Sequence, residues 1–315
     1  MPLQSSLVHL GLAKETVQGT PVSPTVWVPV ENNIKNEDVI HFIDDKSLMG
    51  APVATIGQYA GPASSTVDWD ANFYPEALGH AIMGLLGADA VSGTATPYTH
   101  VLTLSEAQPP SYTLSVYNGY NERQYPGSMI DELALKYATD GALVATTKWV
   151  GFPSVSGTTS TPVLPTDNPL LGWQASLQIA TVANTRLIGF DWTGKRATKP
   201  VNTSGGTQAP TFVYAGPLDV TGKLTFAIDN ETELDYLLNN TQPAVVLTLQ
   251  APNSGPSLAI QMSKCAFTKQ ATSYSKEWVE VDYDIVSVAN SSDAGTGGPI
   301  SPVKFTLINS QSTAY

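Results

Sequence analysis

Runs of alternating apolar and polar residues, only two helical stretches and a repeated order of elements predict a mainly β chain. It is read as two tandem β-sandwich units, each flanked by one α-helix. Composition agrees. Only 13% of the 315 residues are charged, while 25 Gly and 23 Pro supply turns. Thr, Ser and Val are also abundant, the mixture of a strand-and-turn protein. A chain of this length is at or above the size where one core divides into two.

Residues 1–30 read as an extended N-terminal arm. The steps Thr20-Pro21 and Ser23-Pro24 bias the preceding residues toward extended backbone, and Val26-Trp27-Val28-Pro29-Val30 is apolar. Such a segment either pairs with another subunit or is an exposed leader. Residues 31–153 form the first unit, with strands expected over 66–72, 99–104, 112–117, 129–138 and 143–150. Its helix spans 75–87. Pro75 suits the first helical position, Glu76 the positive end of the dipole and Gly87 the stop. Leu78, Ala81, Ile82 and Leu85 share one face. A small, polar, uncharged linker follows at 154–162. Residues 163–315 form the second unit, with strands over 174–179, 187–192, 222–228, 245–249, 258–262, 278–288 and 303–308. Its helix spans 231–240, capped by Asp229 or Asn230.

The two units read as copies of one plan. Val101-Leu102-Thr103-Leu104 recurs as Val246-Leu247-Thr248-Leu249, and Pro110-Ser111 recurs as Pro256-Ser257. Leu133, Leu135 and Tyr137 align with Val281, Tyr283 and Ile285 in the same comparison.

The charge balance excludes one class of function. With net charge −12 and only 15 Lys plus Arg, the chain lacks the basic face that stable nucleic-acid binding needs. The single Cys265 excludes an internal disulfide and reads as a small buried hydrophobe. No secretion signal and no apolar stretch of 18 residues is visible, so no membrane span is expected. There is no H-E-x-x-H, G-x-S-x-G, Walker A or C-x-x-C sequence. His9, His41, His80 and His100 have no metal-site spacing. No enzyme activity, metal or cofactor is therefore expected. Among so many carboxylates, a glycosidase-like pair stays open on sequence alone.

One acidic pattern stands out. Glu280, Asp282 and Asp284 share a strand face opposite Val279, Val281, Tyr283 and Ile285, and Glu132 with Lys136 lies opposite Leu133, Leu135 and Tyr137. Such strands need water on one side and a core on the other. The polar side is either an exposed sheet face or the wall of a water-filled bore.

The run Gly11, Ala13, Glu15, Thr16, Gly19, Thr20 and Pro24 follows the pattern G-x-A-x-E-T-x-x-G-T-x-x-x-P. It resembles the N-terminal arm of the major tail tube proteins of long-tailed (siphovirus-like) bacteriophages. The Trp69-to-helix segment, residues 110–114 and the double strand from Gly127 to Gly151 extend the resemblance over most of the chain. It implies a structural virion protein whose stacked rings form a hollow tail tube conducting DNA from capsid to host. Inner strands would form a ring-shaped β-barrel on oligomerisation. With two units per chain, a ring of three copies is favoured and a hexamer is the alternative. The implied partners are further copies, neighbouring rings, a tape-measure protein and tail terminator or tip proteins, with assembly in the host cytoplasm. DNA would pass without stable binding. Glu15, Thr16, Gly19, Thr20, Pro21, Pro24 and Trp27 become candidates for inter-ring or inter-subunit contacts, and Glu132, Glu280, Asp282 and Asp284 for the lumen. Rival readings are a secreted carbohydrate-binding or surface-layer β protein and a β-scaffold glycoside hydrolase.

Overall fold

The computed structural model describes residues 4–31, 33–253, 255–274 and 277–315. The chain opens with β1 (His9–Lys14) and β2 (Val26–Val28), then a long hairpin of β3 (Lys35–Asp45) and β4 (Gly57–Asn72). Helix α1 (Pro75–Leu86) leads to β5 (Gly87–Ser92), β6 (Tyr98–Leu104), β7 (Tyr112–Tyr117), β8 (Glu122–Ala138), β9 (Val144–Gly151) and β10 (Val155–Ser156). The second half contains β11 (Ala175–Ile179), β12 (Val182–Asn184), β13 (Leu187–Arg196), β14 (Lys199–Val201), β15 (Phe212–Tyr214) and β16 (Leu218–Ala227). After helix α2 (Thr232–Leu238) come β17 (Val245–Gln250), β18 (Ser257–Met262), β19 (Cys265–Ser273), β20 (Glu280–Ser287) and β21 (Lys304–Asn309). The chain is thus mainly β, in antiparallel sheets.

The main sheet contains the run β3-β4-β9-β8-β13-β16-β20-β19, with every neighbouring pair antiparallel. The first half supplies one block of four strands and the second half the other. Each block carries a bulge at the same place. The β8–β9 register shifts between Ile130 and Glu132, and the β19–β20 register between Phe267 and Lys269. A bulge inserts one residue and bends its strand. Matching the two bulges aligns β8 with β19, β9 with β20, β4 with β16 and β3 with β13. This alignment displaces the one read from sequence: the strand of Val281, Tyr283 and Ile285 is the counterpart of β9, not of the strand of Leu133 and Leu135.

The second sheet has the order β12-β11-β17-β18-β21-β6-β5 and draws on both halves. Here the plan does not repeat. β17 and β18 pair with each other, whereas β6 pairs with β5 and β21, and β7 joins β8 and β1 in the main sheet. The shared VLTL strings thus lie in strands with different neighbours, as do the strands that follow the shared Pro-Ser strings. One hydrophobic core holds Trp69, Trp149, Trp192, Tyr283 and Phe305 together. The segment 154–162 therefore links two halves of a common core rather than two separate cores.

Helix α1 follows its sequence signals. Pro75 occupies the first turn, and Gly87 ends the helix at φ 91°, a left-handed conformation that suits glycine. Leu78, Ala81, Ile82 and Leu85 are at most 1% exposed.

Candidate lumen face and subunit edges

Strand alternation sends Val281, Tyr283 and Ile285 into the core and leaves Glu280, Asp282 and Asp284 on the opposite face of the main sheet. Register extends that face across all eight strands. Asp284 faces Lys223 and Lys269, and Asp282 faces Thr225 and Ala271. Glu132 on β8 faces Lys195 on β13 and Lys148 on β9. All four candidate lumen carboxylates therefore lie on one face of one sheet.

They do not form an unbroken acidic surface. Lys148 Nζ reaches Glu132 Oε1 at 3.0 Å, and Lys195 Nζ lies 3.6 Å from Oε2. Lys223 Nζ is 2.8 Å from Asp282, which also accepts a 2.7 Å hydrogen bond from Thr225 Oγ1. Lys269 lies 4.0 Å from Asp284. Glu280 accepts a hydrogen bond from Trp278 Nε1 at 3.1 Å. Partial burial raises the Asp282 carboxyl, but the bonds from Lys223 and Thr225 outweigh it and hold the group below its ordinary value. The hydrogen bond to Glu132 raises Lys148, and that to Asp282 raises Lys223. Sequence reading found the carboxylates and missed these lysines, because each partner sits on a neighbouring strand. Register adds Lys35 and Lys136 to the face, with Glu37, Asp68, Asp70, Asp191 and Asp219. The tally is nine carboxylates against six lysines, a surplus of three negative charges.

The N-terminal segment departs from the expected free arm. β1 pairs with β7 and β2 of its own chain, and Leu10 and Leu12 are fully buried. Glu15 explains why. Its Oε2 accepts hydrogen bonds from Gly19 N at 2.9 Å and Ser111 Oγ at 2.7 Å, and its Oε1 from Thr113 Oγ1 at 2.7 Å and Gly127 N at 2.8 Å. A buried carboxylate satisfied by four donors is a fastening within the chain. Pro24 is buried against Gly11, where an added Cβ would lie 2.5 Å from the proline Cβ. Gly19 takes φ 84° beside the Phe152 ring, and Trp27 is half-buried on β2. Thr16, Thr20 and Pro21 remain exposed. The reading of an arm rested on the two X-Pro steps and overlooked the alternation of Leu10 and Leu12.

Two features had no sequence expectation. The hairpin formed by β3 and the start of β4 stands out from the body, with Val39, Ile40, Phe42, Ile43 and Tyr59 all more than 40% exposed. At the other extreme, Tyr315 is buried between His80 and His100. His100 Nδ1 lies 2.8 Å from Asp89 Oδ2, and its Nε2 lies 2.9 Å from the Gln311 carbonyl. This His–Asp pair is fully buried and has no access to a substrate. Among the described residues, no group of three or more His, Cys, Asp or Glu could hold a metal ion, and no helix is long and apolar enough to cross a membrane.

The extended surfaces of the molecule are a broad polar sheet face and a protruding apolar hairpin, the features of a structural protein. The family model for phage tail tube proteins matches residues 5–301, and the chain belongs to that family. Comparison with curated proteins finds no match.

Proposed function

We propose that this chain forms the rings of a hollow phage tail tube, with the polar face of the main sheet lining the bore through which DNA passes. The observation that carries the reading is the eight-strand run of two matching four-strand blocks, open, among the described residues, at β3 and at β19. Open edges invite pairing with another chain, and a closed ring removes them. Each chain brings two blocks, so three copies give a six-block ring of pseudo-six-fold symmetry. Six copies are the alternative. The exposed apolar hairpin and the exposed Thr16, Thr20 and Pro21 are offered to neighbouring copies or rings. A tape-measure protein and terminator or tip proteins complete the tail, which is assembled in the host cytoplasm.

Glu132, Glu280, Asp282 and Asp284 then face the bore. The lysine partners of Glu132, Asp282 and Asp284 keep the wall from strong repulsion within itself, and the surplus negative charge keeps the duplex from adhering. That repulsion acts over about 8 Å in physiological salt. The mechanism is mechanical and electrostatic, without bond chemistry.

Negative-stain microscopy and sedimentation of the purified protein test the assembly. Rings or tubes are expected. A monomer at high concentration, persisting when tail-initiating partners are present, refutes it. The bore is tested separately by replacing Glu280 and Asp284 with Lys, which leaves the Asp282–Lys223 pair intact. Particles should then release DNA more slowly, and the delay should shrink with rising salt as phosphate contacts weaken. Normal, salt-independent ejection would remove these residues from the lumen.

A further inference from the structure

The sheet contains, inside one chain, a model of its own joint with the next. At the centre of the run, β8 ends the first block and β13 opens the second, and the two pair with Leu135 facing Trp192 and Ala134 facing Thr193. The outer edges of the run are β19, the counterpart of β8, and β3, the counterpart of β13. The matched bulges place Ala271 where the first block has Ala134, and Thr272 where it has Leu135. On the other side, Trp69 faces Thr147 as Leu224 faces Tyr283, so Val67 corresponds to Gly222. Asn36 faces Val67 and Trp192 faces Gly222. Asn36 therefore stands where Trp192 stands, and Glu37 stands where Thr193 stands.

We infer that β19 of one copy pairs antiparallel with β3 of the next in the register of the internal β8–β13 joint, with Ala271 opposite Glu37 and Thr272 opposite Asn36. This inference rests on the ring reading above and adds which residues meet. The two joints differ in chemistry. The internal one sets Leu133 and Leu135 beside Trp192, all fully buried. At the open edges the same positions hold Gln270, Thr272 and Asn36, which water can solvate before assembly. At these positions a joint between subunits depends on the backbone ladder of the two open edges rather than on apolar packing. Register then matters more than side-chain burial. Directly opposed residues alternate between hydrogen-bonded pairs and more closely spaced ones, so one of the two adjacent pairs named here has the shorter approach.

Cysteine cross-linking tests the register. The native Cys265 is fully buried and burial pushes its thiol up to about 12, so it does not compete. Two double variants, Glu37→Cys with Ala271→Cys and Asn36→Cys with Thr272→Cys, are assembled and mildly oxidised. Glu37→Cys with Lys269→Cys, and Glu37→Cys with Ser273→Cys, are the shifted controls. Diagonal neighbours lie about 7–8 Å apart, beyond the ~3.5–4.5 Å Cβ spacing of a disulfide. At least one in-register pair should cross-link chains about tenfold more than either control, in a ladder that closes at a finite ring size. Equal or greater cross-linking in a shifted pair, with rings visible by microscopy, overturns the register and leaves the ring intact. Failure of the wild-type protein to form rings overturns both.

Discussion

The two halves contribute matching four-strand blocks to one sheet, yet they close those blocks with very different helices. Helix α1 has twelve residues, of which all but Glu76 are buried. Helix α2 has seven, and its one buried residue is Glu233. The difference is one of position. α1 packs on β8, β5, β6 and β21, between the main sheet and the second sheet, whereas α2 packs on β19 at the end of the run. A helix between two sheets is buried on every side, while one at an edge packs mainly on the edge strand. The inner strands are thus held to one plan, and the helices vary with what lies over them. Each half ends in an open edge strand, β3 in the first and β19 in the second, but only the first encloses its helix in the shared core.

The strongest test of that contrast is truncation in each helix. Leu78→Ala removes a fully buried side chain and should cost roughly 2–5 kcal/mol. Leu237→Ala in the partly buried α2 should cost about 1 kcal/mol or less. Urea denaturation of both variants would break the comparison if the two losses were equal.

Acid should also separate the halves, because all four histidines lie in the first. Burial, with Lys14 and His100 adding to it, lowers the pKa of His80 to about 4. Below pH 6.5 the unfolded chain takes up a proton that the folded chain refuses until about pH 4. Stability from this group is present above pH 6.5 and falls as pH drops from 6.5 to 4, by up to about 3 kcal/mol. His100 acts in the opposite sense. Burial lowers its pKa, but Asp89 and the Gln311 carbonyl outweigh that and raise it. Its contribution is complete below pH 6.5 and is lost as pH rises through its folded value. His80→Gln should flatten the acid side of the stability curve, and His100→Asn should weaken the fold more at pH 5.5 than at pH 8. Unchanged pH profiles for both variants would remove the histidines from this account.

Within the second half, Glu233 is the point where the edge helix is tied down. It accepts a 2.5 Å hydrogen bond from Arg186 Nη2 and one of 2.9 Å from Asn184 Nδ2. Glu233→Ala leaves the mostly buried guanidinium with only the solvent-exposed Asp229, 3.0 Å from its Nη1, and should destabilise the chain by about 2 kcal/mol. Losing one lysine from the polar sheet face, Lys223→Ala, should change stability by no more than about 0.5 kcal/mol, because the pair is partly solvated. Thermal unfolding of the two variants sharpens the comparison: an equal cost would mean that the sheet face is structural rather than a surface kept for passage.

Much of this was legible in the residues. The strands holding Thr66–Asn72, Met129–Ala138 and Val281–Ile285 showed their period-2 alternation. α1 showed its Pro75 start and Gly87 stop, and the carboxylates on β20 showed their common face. The tail-tube resemblance was also carried by local motifs, and the family match agrees with it. What failed was of another kind. Glu15 was placed in an arm for neighbours, although its four donors come from Gly19, Ser111, Thr113 and Gly127. β3 was not expected, because a strand exposed on both faces has no alternation to reveal it.

The chain by itself determined the long alternating strands, the two helices and which side of those strands meets water, because those properties depend on neighbours a few residues away; the short strands and β3 escaped it. Only the tertiary structure decided which strands lie side by side. That choice set a lysine beside Glu132, Asp282 and Asp284, folded the N-terminal segment back on β7 and left β3 and β19 at the open ends. Strand pairing joins residues tens to hundreds of positions apart, and its register turns on bulges such as those at Asp131 and Thr268, for which a single strand's sequence carries no period.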